Sequence, residues 1–125
     1  MAASQILSGK RIVVIEDEPS IKMYVEAALK DAGAGIAVSF DRKIDAAVLD
    51  VKIGDGVSSA PIAMTLEQRR VPFLFYTGHA DSVTASLRSR WPGCKILPKP
   101  LPAHELVNAV AALLSPDART SLNGR

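Results

Sequence analysis

The sequence predicts an α/β fold built on a parallel sheet, and three observations carry that prediction. Short β-branched or apolar runs alternate with stretches of helical spacing along the chain. No internal repeat or linker divides the 125 residues, a length that suits one domain able to bury its own core. Residues that carry chemistry recur just after the apolar runs, at the strand ends where open α/β sheets keep their sites.

Arg11-Ile12-Val13-Val14-Ile15 reads as the first strand, closed by Glu16-Asp17-Glu18, and Pro19 stands where a helix opens without needing its N–H. Ile21, Val25, Ala28, Leu29 and Ala32 fall at helical spacing, with Gly33 as the stop. Ile36 to Phe40 is the second strand, and Ala46-Ala47-Val48-Leu49, ending on Asp50, is the third. The loop from Lys52 to Ser59 contains the Gly54-Asp55-Gly56 turn signal, and Pro61 opens a helix through Arg70 with Ile62, Ala63 and Leu66 inward. Val71 to Tyr76 is the fourth strand, its proline suited to a strand start or edge, and it stops at Thr77-Gly78-His79. Asp81 and Ser82 are N-caps for a weak helix reaching Arg90, with Val83, Ala85 and Leu87 available for burial. Such low burial marks it as the mobile element. Pro92-Gly93 turns the chain into Cys94-Lys95-Ile96-Leu97, the last strand, ended by Pro98-Lys99-Pro100. Residues 103 to 115 form a closing helix with Leu106, Val107, Val110, Leu113 and Leu114 on one face. Residues 1 to 9 read as an N-terminal extension, 10 to 115 as the domain and 116 to 125 as a frayed polar tail.

One connection is anomalous, because five residues, Asp41 to Asp45, separate the second and third strands. Parallel neighbours need a crossover of about a dozen residues, usually a helix. Five extended residues span at most about 18 Å, barely the length of an average strand. The connector is therefore extended, or exchanged with a second chain, or residues 36 to 40 are not a strand. A missing second helix would also expose one sheet face and favour a homodimer.

Composition excludes several functions. The net charge of +2 is a small excess of 15 basic over 13 acidic side chains. The basic groups Lys10-Arg11, Arg42-Lys43, Arg69-Arg70 and Arg88 with Arg90 are scattered and read as solvated faces, without the basic stripe and interleaved aromatics of a nucleic-acid binder. No run approaches the roughly 20 apolar residues of a membrane span, and Met1 to Gly9 lacks signal-peptide order. One cysteine rules out an internal disulfide, so a soluble, cytoplasmic protein is expected.

Laid on this fold, Glu16-Asp17, Asp50, Thr77 and Lys99 meet at one rim of the sheet. Three carboxylates there repel unless a cation relieves them, and an all-oxygen pocket without His or Cys suits Mg²⁺, with Mn²⁺ as a substitute. Lys99 offers a point charge for phosphate oxygens and Thr77 a hydroxyl donor. Asp50, ending the most buried strand, is the candidate nucleophile for an aspartyl phosphate. Blander roles stand beside these: Asp50 capping the Gly54-Asp55-Gly56 turn, and Glu16 and Asp17 capping the first helix. Tyr76, Trp91 and Cys94 read as structural, Asp55 as a turn former and His104 as a residue near the start of the last helix.

Ile15-Glu16-Asp17-Glu18-Pro19, Val48-Leu49-Asp50, Thr77-Gly78 and Leu97-Pro98-Lys99-Pro100, in this order, resemble the receiver domain of two-component response regulators. The likeness runs from about Lys10 to Leu114. Pro72-Phe73-x-Phe75-x-Thr77-Gly78 looks most like a stand-alone group marked by Phe-Ala-Thr-Gly, with Tyr76 in the alanine's place. The resemblance implies a flavodoxin-like, doubly wound sheet of five parallel strands in the order 2-1-3-4-5, with the second helix replaced by the short connector. It implies a phosphoacceptor at Asp50, Mg²⁺ on Asp17, Asp50 and the Lys52 backbone carbonyl with Glu16 assisting, and phosphoryl contacts from Thr77 and Lys99. His79 would tune dephosphorylation and partner choice, and the Lys99 to Pro100 bond would be cis. Ile96 stands where receivers usually carry a switch aromatic. The implied partners are a histidine kinase or histidine phosphotransfer protein and a downstream protein target. No catalysis is expected beyond the protein's own phosphorylation and dephosphorylation. An aspartate-nucleophile phosphatase is the rival enzyme class, but it would need a carboxylate two residues after the nucleophile, where Lys52 stands. A phosphate-independent dimeric scaffold is the other alternative.

Overall fold

In the computed structural model, residues 5–40, 42–52, 58–78 and 80–115 are described, the side chains of 80–82 excepted. The Gly54-Asp55-Gly56 turn, His79 and the tail from Pro116 lie outside the described residues.

Strand β1, Arg11–Ile15, buries Val13 between Ile12 and Val14, all three against core. Such a run with no polar alternation suits a strand covered on both faces. Helix α1, Pro19–Asp31, starts with its proline in the first turn, turns Val25, Ala28 and Leu29 inward and is followed by Gly33 at φ 100°. A Cβ there would lie 2.9 Å from the Gln5 side-chain oxygen and 3.0 Å from the Ser8 Cα, so glycine is required for space as well as conformation. Strand β2 is Gly35–Ala37, β3 is Ala46–Leu49, and helix α2 is Ala60–Gln68. Strand β4, Phe73–Thr77, leads to helix α3, Ala80–Arg90, strand β5, Lys95–Pro98, and helix α4, Ala103–Leu114.

All neighbouring strands are parallel, in the order β2-β1-β3-β4-β5. The fold is the flavodoxin-like one. Successive residues of one strand face opposite layers. Ile12, Val14, Val48, Leu74 and Tyr76 pack with α1 and α4, while Val13, Ala47, Leu49 and Phe75 pack with α2 and α3. Leu7, in the stretch read as an extension, is fully buried in the first layer. In the second layer Trp91 stacks edge-on to Phe73 at 5.9 Å and tilts against Phe75 at 5.8 Å between ring centres. Trp91 and Cys94 are thus core residues, as read from the sequence. Helix α3 starts at Ala80, so Asp81 and Ser82 fall inside its first turn, and Ala85, expected to be buried, is exposed.

The anomalous connection resolves through the second strand, which is three residues long and ends at Ala37 rather than Phe40. Ala37 lies opposite Val13 and Ala46 opposite Ile12. The chain therefore returns by one residue along β1, about 3.3 Å, while crossing two strand spacings, about 10 Å. Residues 38 to 45 cover that span within one chain and, among the described residues, without a helix. The connector is fastened at its end: the Asp45 N–H donates to the Arg11 carbonyl at 2.8 Å, the Arg11 N–H to Asp45 Oδ2 at 2.8 Å, and Arg11 Nε to the Lys43 carbonyl at 3.0 Å. Ile44 is buried in the second layer with Phe40 packed against it, so the connector plugs the sheet face that a helix would have covered.

Candidate functional site

The strand ladders run to the rim and fix the backbone of the candidate residues. The Asp50 N–H donates to the Ile15 carbonyl at 2.9 Å, extending β1 against β3, and the Lys99 N–H to the Thr77 carbonyl at 3.0 Å, extending β4 against β5. Glu16 and Asp50 therefore leave adjoining strands, and Lys99 leaves β5 on the far side of β4, all with little freedom to drift apart.

Their side chains meet. Lys99 Nζ donates to Glu16 Oε1 at 2.5 Å and to Asp50 Oδ2 at 3.0 Å, and the Glu16, Asp50 and Lys99 side chains are 4, 11 and 14 % exposed. Asp50 Oδ1 accepts from the Val51 N–H at 2.7 Å and Glu16 Oε2 from the Glu18 N–H at 3.0 Å, so each carboxylate is aimed through both oxygens. Burial alone would lower the Lys99 pKa, but hydrogen bonds and charge from Glu16 and Asp50 outweigh it and lift the ammonium above its usual 10.5.

Asp17 is exposed beside them, and one oxygen each from Glu16, Asp17 and Asp50 lie within 4.8 Å of one another. Three carboxylates against one ammonium leave two negative charges on the rim. A hard divalent cation balances that charge, and Mg²⁺ or Mn²⁺ accepts such an oxygen set. The residues fit a metal. The N-cap of α1 is Glu18, which makes no side-chain cap bond of its own, while its N–H is held by Glu16.

Thr77 is the last residue of β4 and is fully buried. Its backbone is tied to Lys99. Lys52 follows the site in an isolated antiparallel bridge with Ser58. The Lys99–Pro100 peptide is cis. Ile96 packs against the second layer, and His104 is exposed in the first turn of α4.

No protein-family model matches this chain and no curated protein does. Solved structures do. A response regulator receiver protein from Sinorhizobium medicae WSM419 is 27% identical with a TM-score of 0.74, over 88% of this chain and 96% of that one. SdrG from Sphingomonas melonis Fr1 is 36% identical with a TM-score of 0.65, over 85% and 97%. The response regulator TrrA of Thermotoga maritima, solved in complex with Mg²⁺-BeF, is 26% identical with a TM-score of 0.68, over 84% and 99%. The chain is a response regulator receiver domain.

Sequence reasoning assigned this receiver's Tyr76 to packing and passed over Tyr24. Tyr76 is buried, yet its hydroxyl accepts from the Leu101 N–H at 3.2 Å and its ring lies 5.7 Å from Lys99 Nζ. The Tyr24 hydroxyl donates to the Leu101 carbonyl at 2.7 Å. The chain's two tyrosines thus grip Leu101 from both sides, two residues beyond Lys99. No sequence spacing announces this, because α1, β4 and the loop before α4 meet only in the fold. Among the described residues, no helix is long and apolar enough to cross a membrane.

Proposed function

We propose that this receiver accepts a phosphoryl group on Asp50 from a histidine kinase or histidine phosphotransfer protein and signals through contact with a protein target. The observation that carries the reading is the Lys99 ammonium shared between Glu16 and Asp50 at the strand-end rim, with Asp17 alongside. An Asp50 carboxylate oxygen attacks phosphorus, the phosphorus–nitrogen bond of the phosphohistidine breaks, and its electron pair returns to the imidazole. Asp17, Asp50 and the Lys52 carbonyl would hold Mg²⁺, with Glu16 assisting. The bound ion neutralises charge on the phosphoryl oxygens. Lys99 turns its ammonium from the Asp50 oxygen toward a phosphoryl oxygen, and the Thr77 hydroxyl donates to another. Water later hydrolyses the acyl phosphate, which is the protein's only catalysis. On Pro72, Phe73, Phe75, Thr77 and Gly78 we place the chain with the Phe-Ala-Thr-Gly group.

The test is incubation with Mg²⁺ and acetyl phosphate, read by intact mass. A phosphoryl adduct is expected in the wild type, absent without the metal and absent in Asp50→Asn. An unmodified wild type would overturn the assignment and favour a phosphate-independent scaffold. Turnover of unrelated phosphomonoesters would favour a phosphatase.

A further inference from the structure

Arg42-Lys43 and Arg69-Arg70 are far apart in sequence and look like separate solvated faces. The fold brings them together. They line one open cavity of about 380 Å³ between the connector and the end of α2. Among the described residues Asp45 is the single acid in its lining, and it is already engaged by the Arg11 N–H at 2.8 Å and faces Lys43 Nζ at 3.8 Å. Arg69 donates to the Phe40 carbonyl at 2.6 Å with its guanidinium 5.9 Å from that ring's centre. Arg42 and Arg70 are exposed and make no ion pair among the described residues.

Arg70 is also held at φ 60°, a left-handed conformation where glycine or asparagine is the easier choice. Hydrogen bonds from the Arg70 N–H to the Glu67 carbonyl and from the Val71 N–H to the Leu66 carbonyl fix it there. A cation kept at a strained position calls for a use. The floor of the cavity is apolar, with Ile44 and Leu66 buried beneath it and Val71 and Phe40 half-buried at its sides.

We infer that this groove docks an acidic amphipathic helix of a partner protein, its apolar side chains in the cavity and its carboxylates on Arg42, Lys43 and Arg70. The cavity is too small for a helix backbone but admits side chains from a helix laid across it. Nucleic acid would need a longer basic stripe with exposed aromatics, and the one ring here, Phe40, is already covered by Arg69. The groove lies at the start of β3 and β4, about 16 Å along β3 from Asp50. An occupant there leaves the phosphoryl site open, so the surface anchors a partner independently of phosphorylation.

The test uses the full chain and a fluorescent amphipathic peptide of roughly 15 residues with Glu on one face and Leu on the other. Its Lys-for-Glu counterpart and a duplex DNA of equal charge serve as comparison probes. Expected are saturable binding of the acidic peptide, weakening with salt, and amide shifts confined to residues 40 to 45 and 66 to 72. Arg42→Glu with Arg70→Glu should weaken binding at least tenfold, Arg42→Gln with Arg70→Asn should do so less, and Asp50→Asn should bind like wild type. Both positions are exposed, so the variants should keep the wild-type circular dichroism, and because asparagine suits the left-handed backbone at position 70, Arg42→Gln with Arg70→Asn should be at least as stable to urea as the wild type. No binding, equal binding by the charge-reversed protein, shifts elsewhere, or preference for the DNA or the lysine peptide would each overturn the inference. Because no phosphoryl donor is present, failure here says nothing against phosphorylation of Asp50.

Discussion

Lys99 serves two carboxylates at once, and its position depends on a loop that it does not itself anchor. The Leu101 peptide is gripped by Tyr76 on its N–H and by Tyr24 on its carbonyl. Tyr76→Phe leaves a part-buried N–H without its acceptor, which should cost about 1 to 2 kcal/mol in urea unfolding. Tyr24→Phe, at an exposed hydroxyl whose carbonyl partner can turn to water, should cost less than about 1 kcal/mol. If the grip positions Lys99, Tyr76→Phe should also slow acetyl phosphate labelling several-fold, and lowering the assay temperature to restore stability should not recover it. The ammonium makes a further prediction. Its pKa in the fold lies above the unfolded value of 10.5, so the stabilisation is complete below that value and is lost as pH rises through the folded value. Urea midpoints measured between pH 9 and 12 should therefore fall more steeply for the wild type than for Lys99→Met. Parallel curves would show that Lys99 contributes no stability through its charge.

At the scale of elements, the sequence showed the site more clearly than the connection leading to it. Glu16, Asp50 and Lys99 were legible because each follows an apolar run, and a strand end in a parallel sheet has one rim to reach. The end of the second strand was not legible, since Val38 and Phe40 have strand-forming side chains and nothing local says that the partner strand stops pairing. What decides it is tertiary: β2 is an edge strand paired with β1 alone, and the chain must turn back at once to enter β3 from below. Val38 is left 94% exposed, while Phe40 and Ile44 fold back onto the sheet. The connector thus does the covering work of a helix with two apolar side chains. Ile44→Ala should cost about 2 to 4 kcal/mol, the range of a buried aliphatic truncation. An exposed connector isoleucine would cost less than about 0.5 kcal/mol, and that result would mean the sheet face is covered by something else.

On the scale of the whole molecule, folding brings the Asp50 carboxylate beside the neighbouring pair Glu16 and Asp17, and one ammonium offsets one of the three charges. Binding of a divalent ion is then coupled to stability, because the folded state holds the ligand set and the unfolded state does not. For a dissociation constant of about 1 mM, adding about 10 mM Mg²⁺ should stabilise the fold by about 1.4 kcal/mol. That corresponds to a rise of roughly 3 to 8 °C in the unfolding midpoint of a domain this size. Asp17→Asn should abolish most of the rise while leaving the metal-free protein as stable as before or slightly more so, since Asp17 is exposed and adds to the repulsion. Ca²⁺, whose larger shell suits more numerous ligands, should give a smaller shift at the same concentration. A midpoint that rises equally in Asp17→Asn would place the ion elsewhere on the surface. A midpoint unmoved in the wild type would mean that Lys99 already balances the rim, leaving phosphorylation of Asp50 to proceed on the protein's own charges.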